Sequence, residues 1–171
     1  QLLPEDKLVS ARLICRDSAV ICGIPWFDEV FFQVDGKVAV DWGVKEGQFV
    51  SPGAELASLH GNMKSIVTAE RCALNWLQML SGTASTVRSY VDILQGTGVK
   101  LLDTRKTIPG FRKLAKQAVS AGGGHNHRES LSDMILLKEN HLALVPTPEK
   151  KRALEHHIQS TKISNPTLKA E

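Results

Sequence analysis

The stretch 99–138, which reads VKLLDTRKTIPGFRKLAKQAVSAGGGHNHRESLSDMILLK, decides the fold class. It begins with the short apolar segment Val99–Asp103 and ends with a second apolar segment, Met134–Lys138. Between them, apolar residues recur at the spacing of one helix face. Strand, helix and strand in succession are typical of a parallel sheet layered with helices, so the sequence predicts an α/β fold.

Capping and turn residues bound the predicted helix of this stretch. Thr107 can cap its first turn, and Pro109 is tolerated near that turn because the N–H group it lacks would have no partner there. The glycine run Gly122–Gly124 is predicted to end the helix. A further helix is predicted to begin at Thr147–Glu149 and to run to about Gln159.

The residues before this stretch have a different pattern. Short apolar or alternating segments separated by glycine turns make the part before residue 67 β-rich, although segment 26–34 fits a helix or a strand. From 68 to 95 the apolar residues follow a helical period, with Thr68 as the predicted N-cap and a break at Ser81–Thr83. We therefore predict a β-rich domain (1–67), a helical connection (68–97) and an α/β part (98–171).

Cationic side chains gather beside the ends of the predicted strands and helices. They are Arg105, Lys106, His127, Arg128 and Lys138. Parallel α/β folds bind ligands at the carboxyl ends of their strands, and guanidinium and ammonium groups match carboxylates and phosphates. The glycine run could also present backbone N–H groups to an anion. The sequence thus predicts a pocket for a small polyanion, in which catalysis would rest on positioning and charge stabilisation.

Composition excludes several classes of protein. The 171 residues have a net charge of only +3 and no lysine–arginine tract, which disfavours nucleic-acid binding. No segment has the run of about 20 apolar residues that a membrane span needs, and no signal peptide is visible. The three cysteines lack metal-ligand or redox spacing, so we expect small buried residues of a reducing compartment and a cytoplasmic protein.

Several motifs together resemble one family, quinolinate phosphoribosyltransferase. The matching segments are Thr68–Asn75, Leu80–Ser85, Leu102–Arg112, Ala118–Gly124, Asn126–Arg128, Leu131–Asp133 and Leu137–His141. The resemblance extends over roughly 1–143 and is highly specific when the segments are taken jointly. It implies a β-rich, sandwich-like N-terminal domain followed by the first strand–helix units of an α/β barrel.

The resemblance also implies a reaction and a set of site residues. Quinolinate and phosphoribosyl pyrophosphate would give nicotinate mononucleotide, pyrophosphate and carbon dioxide, in NAD biosynthesis, with Mg²⁺ as cofactor. By resemblance, Arg105, His127, Arg128 and Lys138 contact the quinolinate carboxylates, and Lys106 lies toward phosphoribosyl pyrophosphate. Arg71 would reach the neighbour's site in a homodimer or higher homo-oligomer. Further candidates are Thr104, Lys116 (which could face phosphates or solvent) and His141; no catalytic residue or metal ligand is assigned.

Two departures from the family pattern leave alternatives open. Ser130 stands where the family usually has glycine, and its β-carbon could shift the loop that carries Arg128. By the same resemblance, acidic residues would hold Mg²⁺–pyrophosphate and glycine loops would hold the 5-phosphate, and residues 145–171 supply neither. We favour an incomplete record of a full enzyme. The alternatives are a truncated, inactive relative that serves as an interaction module, or the related pyrophosphorylase-like protein of molybdate-transport operons.

Overall fold

The structure is a computed structural model that describes residues 7–136, 138–143, 152–156, 158–160 and 169–170. The chain divides into two compact units between Asn126 and His127. The elements of the first unit are β1 (Leu8–Ile14), β2 (Ala19–Val20), α1 (Ile24–Asp35), β3 (Ala39–Trp42), β4 (Phe49–Val50), β5 (Glu55–Asn62), α2 (Met63–Leu94) and α3 (Arg112–Ala121). Strands and helices are thus mixed, as the predicted fold class requires.

The first unit contains a three-stranded antiparallel sheet. Its strand order is β1-β5-β3, and β2 pairs with β4 in a separate two-stranded sheet. Exposed and half-buried residues alternate along β1, so only one of its faces contributes to the core. Segment 26–34, which fitted a helix or a strand, lies within α1, where Phe27 and Phe31 are buried one helical turn apart.

Helix α2 connects two hydrophobic clusters. Its buried stripe consists of Ile66, Ala69, Ala73, Leu77, Leu80 and Ala84, which recur every three or four residues. The first cluster packs the earlier residues of this stripe against Phe27, Leu56 and Leu59. The second cluster packs Leu80 and Ala84 against Val20, Cys22 and Ala118 of α3. Helix α2 therefore packs against the sheet near its N-terminal end and against α3 nearer its C-terminal end.

The predicted boundaries of this helix were wrong in two respects. Helix α2 begins at Met63, capped by the Asn62 side chain, which accepts hydrogen bonds from the Lys64 and Ser65 N–H groups at 2.9 and 3.3 Å. Thr68 lies inside the helix, where its hydroxyl donates to the Lys64 carbonyl. The helix also continues without a break through Ser81–Thr83, and the Ser81 hydroxyl bonds to the Cys22 backbone across the core.

The glycine run after α3 confirms the predicted helix end for a steric reason. Gly122 is the C-cap of α3, and a β-carbon there would collide with the Ala84 carbonyl oxygen and lie 2.8 Å from the Val87 Cβ. Gly123 has a φ of 89°, a backbone conformation that side chains disfavour. The run thus allows α3 to approach α2 closely and then turns the chain back.

Two other predictions for this stretch fail because tertiary contacts replace the local pattern. The predicted strand Val99–Asp103 is reduced to one parallel bridge between Leu102 and His125. Thr107 caps nothing: α3 begins at Arg112, and Ile108 instead accepts a turn hydrogen bond from the Phe111 N–H at 3.0 Å. Phe111, the N-cap residue of α3, stacks on Trp76 of α2 with ring centroids 6.0 Å apart, so the start of α3 is packed against α2.

The second unit contains short elements. They are β6 (Met134–Ile135), α4 (Glu139–Ala143) and β7 (Lys169–Ala170), and β6 pairs with β7 in parallel. The predicted strand Met134–Lys138 is confirmed at Met134–Ile135, whereas Leu136 and Lys138 are not in a strand and residue 137 lies outside the described residues. Residues 152–156 and 158–160 are helical, within the predicted last helix, whereas its predicted cap at Thr147–Glu149 lies outside the described residues.

The cysteines have three different environments. Burial raises the pKa of the Cys22 thiol, which is fully enclosed, while Cys15 is half-buried. Cys72 is exposed on α2, so the expectation that all three are buried was wrong for this residue. Among the residues that the structure describes, none of the helices has the length and apolar character needed to cross a membrane.

The contact of Gly122 with α2 can be tested against a second glycine. A Gly122→Ala variant should lose about 1–3 kcal/mol of unfolding free energy, because its methyl group meets the Ala84 carbonyl and Val87. Gly82→Ala is the control: no atom lies within 4 Å of its added β-carbon, and alanine favours a helix by about 1 kcal/mol. Urea unfolding measures the unfolding free energy of both variants. If Gly122→Ala is as stable as Gly82→Ala, then α3 accommodates the added methyl group without loss of stability.

Candidate anion-binding site

The loop that carries Arg105 and Lys106 begins directly after the Leu102 bridge. The Lys106 N–H donates to the Thr104 hydroxyl at 3.2 Å, so a tight local turn holds the three residues 104–106 together. Thr104 and Lys106 are exposed and Arg105 is half-buried. The Arg105 Nε is buried without a hydrogen-bond acceptor among the described residues. A buried donor of this kind is ready for a carboxylate or phosphate oxygen.

Lys116 lies beneath this loop rather than in solvent. Its side chain is 2% exposed, and its Nζ lies 2.7 and 2.8 Å from the two carboxylate oxygens of Asp103, which is 6% exposed. The interpretation of Lys116 as solvated charge was therefore wrong. Its ammonium group is directed at Asp103, so the candidate role of binding a substrate phosphate has no support in this contact.

Asn126 extends this ion pair. With its amide nitrogen turned toward them, Asn126 donates to the Asp103 Oδ2 at 2.9 Å and to the Lys116 carbonyl at 3.0 Å. The Ser120 hydroxyl donates to the Asn126 amide oxygen at 3.1 Å. Neither Asp103 nor Asn126 was among the predicted site residues. The available signal was an aspartate at the end of an apolar segment, together with a lysine among the apolar residues of the next helix.

The glycine run does not offer its N–H groups to an anion. The N–H groups of Gly122, Gly123 and Gly124 donate to the carbonyls of Ala118, Ser120 and Val119 at 3.0–3.1 Å. These bonds close the end of α3, so the interpretation of the run as an anion cradle was wrong. The loop 104–106, which carries Arg105 and Lys106 and is named the cationic loop, remains the candidate site in the first unit.

Arg71 lies in a separate groove of the first unit. The groove has a volume of about 1050 Å³ and is lined by residues of the 12–19 segment and of α2, including Arg12, Arg16 and Arg71. Neither Arg105 nor Lys106 is among its lining residues. Arg12 pairs with Glu55 at 3.5 Å and Asp17 also lines the groove, so the three guanidinium groups are only partly balanced and leave a net positive charge that suits an anionic partner or ligand.

The remaining predicted residues belong to the second unit. The Arg128 Nη1 donates to the Met134 carbonyl at 3.2 Å, which ties its loop to β6. His127 is half-buried, and Lys138 is exposed immediately before α4. His141 belongs to α4. That His127, Arg128 and Lys138 converge on one ligand with Arg105 stays a prediction.

Ser130 is part of a hydrogen-bonded turn around Asp133. The Asp133 carboxylate accepts from the Ser130 hydroxyl at 2.7 Å, from the Ser130 N–H at 3.0 Å and from the Glu129 N–H at 2.8 Å. These bonds hold the pKa of Asp133 below its usual range. Among the described residues no non-glycine φ is positive, so the Ser130 β-carbon causes no strain of that kind.

Two family models match the chain over most of its length. The model described as quinolinate phosphoribosyl transferase, N-terminal domain, matches residues 1–81, and the model of the C-terminal domain matches 83–165. The chain belongs to the quinolinate phosphoribosyltransferase family. The match of both models agrees with the motif resemblance between Thr68 and His141.

Curated and solved members of this family resemble the chain. A chloroplastic carboxylating nicotinate-nucleotide pyrophosphorylase of Oryza sativa subsp. japonica is 37% identical over 142 residues, which is 83% of this chain and 38% of that protein. A probable enzyme of the same name from Bacillus subtilis is 38% identical over 81% of this chain and 48% of its own length. The chain therefore spans less than half the length of these two relatives.

A solved structure supports the same assignment. The nicotinate-nucleotide pyrophosphorylase of Francisella tularensis is 45% identical, with a TM-score of 0.79 over 82% of this chain and 51% of that chain. This likeness to a quinolinate phosphoribosyltransferase fold confirms the predicted α/β class with its β-containing N-terminal part.

The turn around Asp133 predicts a measurable titration. A Ser130→Gly variant should raise the pKa of Asp133 toward the ordinary value of about 3.9, because the hydroxyl that donates to its carboxylate is lost. Since the folded pKa is lowered, the stabilisation by Asp133 is present above its unfolded pKa and is lost as the pH falls through the folded pKa. Carboxyl NMR titration measures the change.

Ser132→Gly provides the control for this titration. The Ser132 hydroxyl lies 3.4 Å from the Asp133 Oδ1, against 2.7 Å for Ser130, so its loss should change the Asp133 pKa less. Equal pKa changes in the two variants would contradict the leading role of Ser130.

Proposed function

We propose that the polypeptide containing this chain transfers the phosphoribosyl group of phosphoribosyl pyrophosphate to quinolinate with decarboxylation. The products would be nicotinate mononucleotide, pyrophosphate and carbon dioxide, a step of pyridine nucleotide synthesis. One observation carries the proposal: models of both domains of the quinolinate phosphoribosyltransferase family match, and together they cover 1–81 and 83–165.

The Arg105 loop has the chemistry that this substrate needs. Quinolinate carries two neighbouring carboxylates, and a guanidinium presents parallel N–H donors that match a carboxylate. The Arg105 Nε is buried without an acceptor among the described residues, and Lys106 is held beside it by the Thr104 turn. We infer that Arg105 binds a carboxylate of quinolinate and that Lys106 faces the phosphoribosyl donor. His127, Arg128 and Lys138 would complete the carboxylate contacts.

Positioning can account for both steps of the reaction. The bond between the ribose carbon and the pyrophosphate oxygen breaks with its electron pair leaving on pyrophosphate, and the quinolinate nitrogen lone pair forms the new bond. The bond to the adjacent carboxylate then breaks, releasing carbon dioxide. The electron pair stays on the ring carbon, stabilised by the cationic pyridinium nitrogen, until a proton is taken up there. The protein's cations hold the ring nitrogen near the ribose carbon.

Mg²⁺ stays a prediction from the resemblance. No group of three or more His, Cys, Asp or Glu side chains that could hold a metal ion lies within the described residues. The buried Asp103 is bonded to Lys116 and is unsuitable as a first ligand. The described residues therefore offer no such cluster for the metal.

We also propose that the protein acts as a homodimer in which Arg71 serves the neighbour's site. Arg71 lies in a groove with Arg12 and Arg16 that does not include Arg105, and a cation of this kind is free to meet an anion held by another subunit. A cytoplasmic location stays a prediction, since the rice relative is named as chloroplastic.

The role of Arg105 is tested by binding and turnover. Arg105→Ala should weaken quinolinate binding roughly 30- to 150-fold, because charge-assisted hydrogen bonds contribute about 2–3 kcal/mol. Arg105→Lys should recover only part of the affinity, since lysine lacks the planar fork. Calorimetric titration measures binding, and release of labelled carbon dioxide that requires phosphoribosyl pyrophosphate measures turnover.

Arg88→Ala is the matched control. It also removes one positive charge, but Arg88 is paired with Asp92 at 2.7 Å on the exposed surface of α2. Its quinolinate affinity should equal that of the unaltered protein. Unchanged affinity in Arg105→Ala would remove Arg105 from the proposed carboxylate site, and absence of labelled carbon dioxide from the unaltered protein would refute the proposed reaction.

Subunit mixing tests the role of Arg71. Arg71→Ala and Lys138→Ala homodimers should each have little activity, whereas a mixed dimer keeps one site with both residues intact. We expect roughly a quarter of the unaltered activity when the two variants are mixed in equal amounts, because half of the dimers are mixed and each has one intact site. Mass spectrometry of the intact complex confirms mixing; mixed dimers without recovered activity would contradict the shared site.

A further inference from the structure

The ion pair between Asp103 and Lys116 has no role in the proposed reaction. The Lys116 ammonium contacts both Asp103 oxygens at 2.7 and 2.8 Å, and both side chains are almost fully buried. Burying two charges removes them from water, and an apolar pair of similar size often stabilises a protein equally well or better. Stability alone therefore does not explain why a charged pair occupies this position.

The pair lies where the chain enters the Arg105 loop. The Asp103 N–H donates to the His125 carbonyl at 3.1 Å, and the His125 N–H donates to the Leu101 carbonyl at 2.8 Å. The Asp103 side chain is bonded to Lys116 of α3 and to Asn126. Both the backbone and the side chain of Asp103 are thus held, two residues before Arg105.

The other end of the loop is held by aromatic packing. Phe111 stacks on Trp76 at an interplanar angle of 12°, and Trp76 in turn contacts Trp26 with ring centroids 6.1 Å apart. Residues 104–110 therefore run between two anchors, a polar one at Asp103 and an apolar one at Phe111. Within this span, the Lys106 N–H donates to the Thr104 hydroxyl, and the Arg112 side chain donates to the Arg105 carbonyl at 3.5 Å.

We propose that the Asp103–Lys116 pair, together with Asn126, is a positioning unit that sets the conformation of the Arg105–Lys106 loop and thereby the affinity for the dicarboxylate. Because Lys116 is 2% exposed and its ammonium is held by Asp103, we expect the pair to act through the loop rather than by contact with the substrate. This inference rests on the proposed function for its ligand, but the loop conformation can be measured without any ligand.

Three variants separate positioning from stability. Asp103→Asn keeps the shape and removes one charge. The double variant Asp103→Leu/Lys116→Met replaces the ion pair by an apolar pair, which should restore the unfolding free energy but not the hydrogen bonds. Asp92→Asn is the matched control, because it makes the same change in an exposed ion pair with Arg88. Thermal unfolding and circular dichroism show that each variant is folded.

Hydrogen–deuterium exchange of the unliganded protein is the first readout. In Asp103→Asn and in the double variant, the amides of 104–107 should exchange at least roughly tenfold faster, while those of the α2 core around Ala73 and Leu77 remain as slow as in the unaltered protein. Asp92→Asn should leave the 104–107 amides unchanged. A double variant that regains stability together with the original exchange rate at 104–107 would overturn the proposal.

Quinolinate titration is the second readout. Loss of the positioning unit should weaken quinolinate binding roughly 10- to 100-fold in the double variant, because small displacements of a binding group are costly. KM for quinolinate should rise more than kcat falls. Wild-type affinity in a double variant with fast exchange would also overturn the proposal. If the unaltered protein binds no quinolinate, the proposed function fails, whereas the exchange result still decides whether the ion pair orders the loop.

Discussion

The packing of α3 on α2 is the constraint on which the rest of the first unit depends. Ala84 of α2 and Ala118 of α3 are completely buried, and Gly122 leaves no room for a β-carbon against the Ala84 carbonyl. Because these residues are small, the two helices approach closely and Phe111 reaches Trp76. The position of α3 then determines where Lys116 meets Asp103, and so where the cationic loop lies. The sheet, by contrast, packs on the other end of α2.

Electrostatics divides the cations of this chain into two groups. Lys116 is neutralised inside the protein by Asp103, whereas Arg105 and Lys106 follow in a loop where a ligand can neutralise them. A buried charge without a partner would be strongly unfavourable, so Lys116 requires Asp103 in the folded state. The exposed Glu46 carboxylate makes a second contact between distant segments: it accepts from the Gly23 N–H just before α1 and from Gln117 of α3.

Several features were predictable because they depend on local chemistry. The glycine run ends α3 as predicted, and the helical period of α2 identified the face that is buried. The predicted N-cap at Thr68 failed because Asn62, at the end of β5, caps the helix more than a turn earlier. The predicted strand Val99–Asp103 is only a single bridge at Leu102. Neither this bridge nor the true start of α3 could be predicted from the pattern of apolar residues. Those boundaries depend on partners that are distant in sequence, such as His125 and Trp76.

The sequence by itself determined the fold class, the family and the gathering of cations near the ends of strands and helices. These features depend on periodicity, turn residues and motifs, which are local properties of the sequence. The tertiary structure alone decided what each cation does. Lys116 and Arg105 look alike as basic residues near a glycine-rich helix, yet one is buried against Asp103 and the other has a buried Nε without an acceptor among the described residues. The reason is physical: the state of a charged group depends on its burial and its partners, and both are fixed only when distant segments pack.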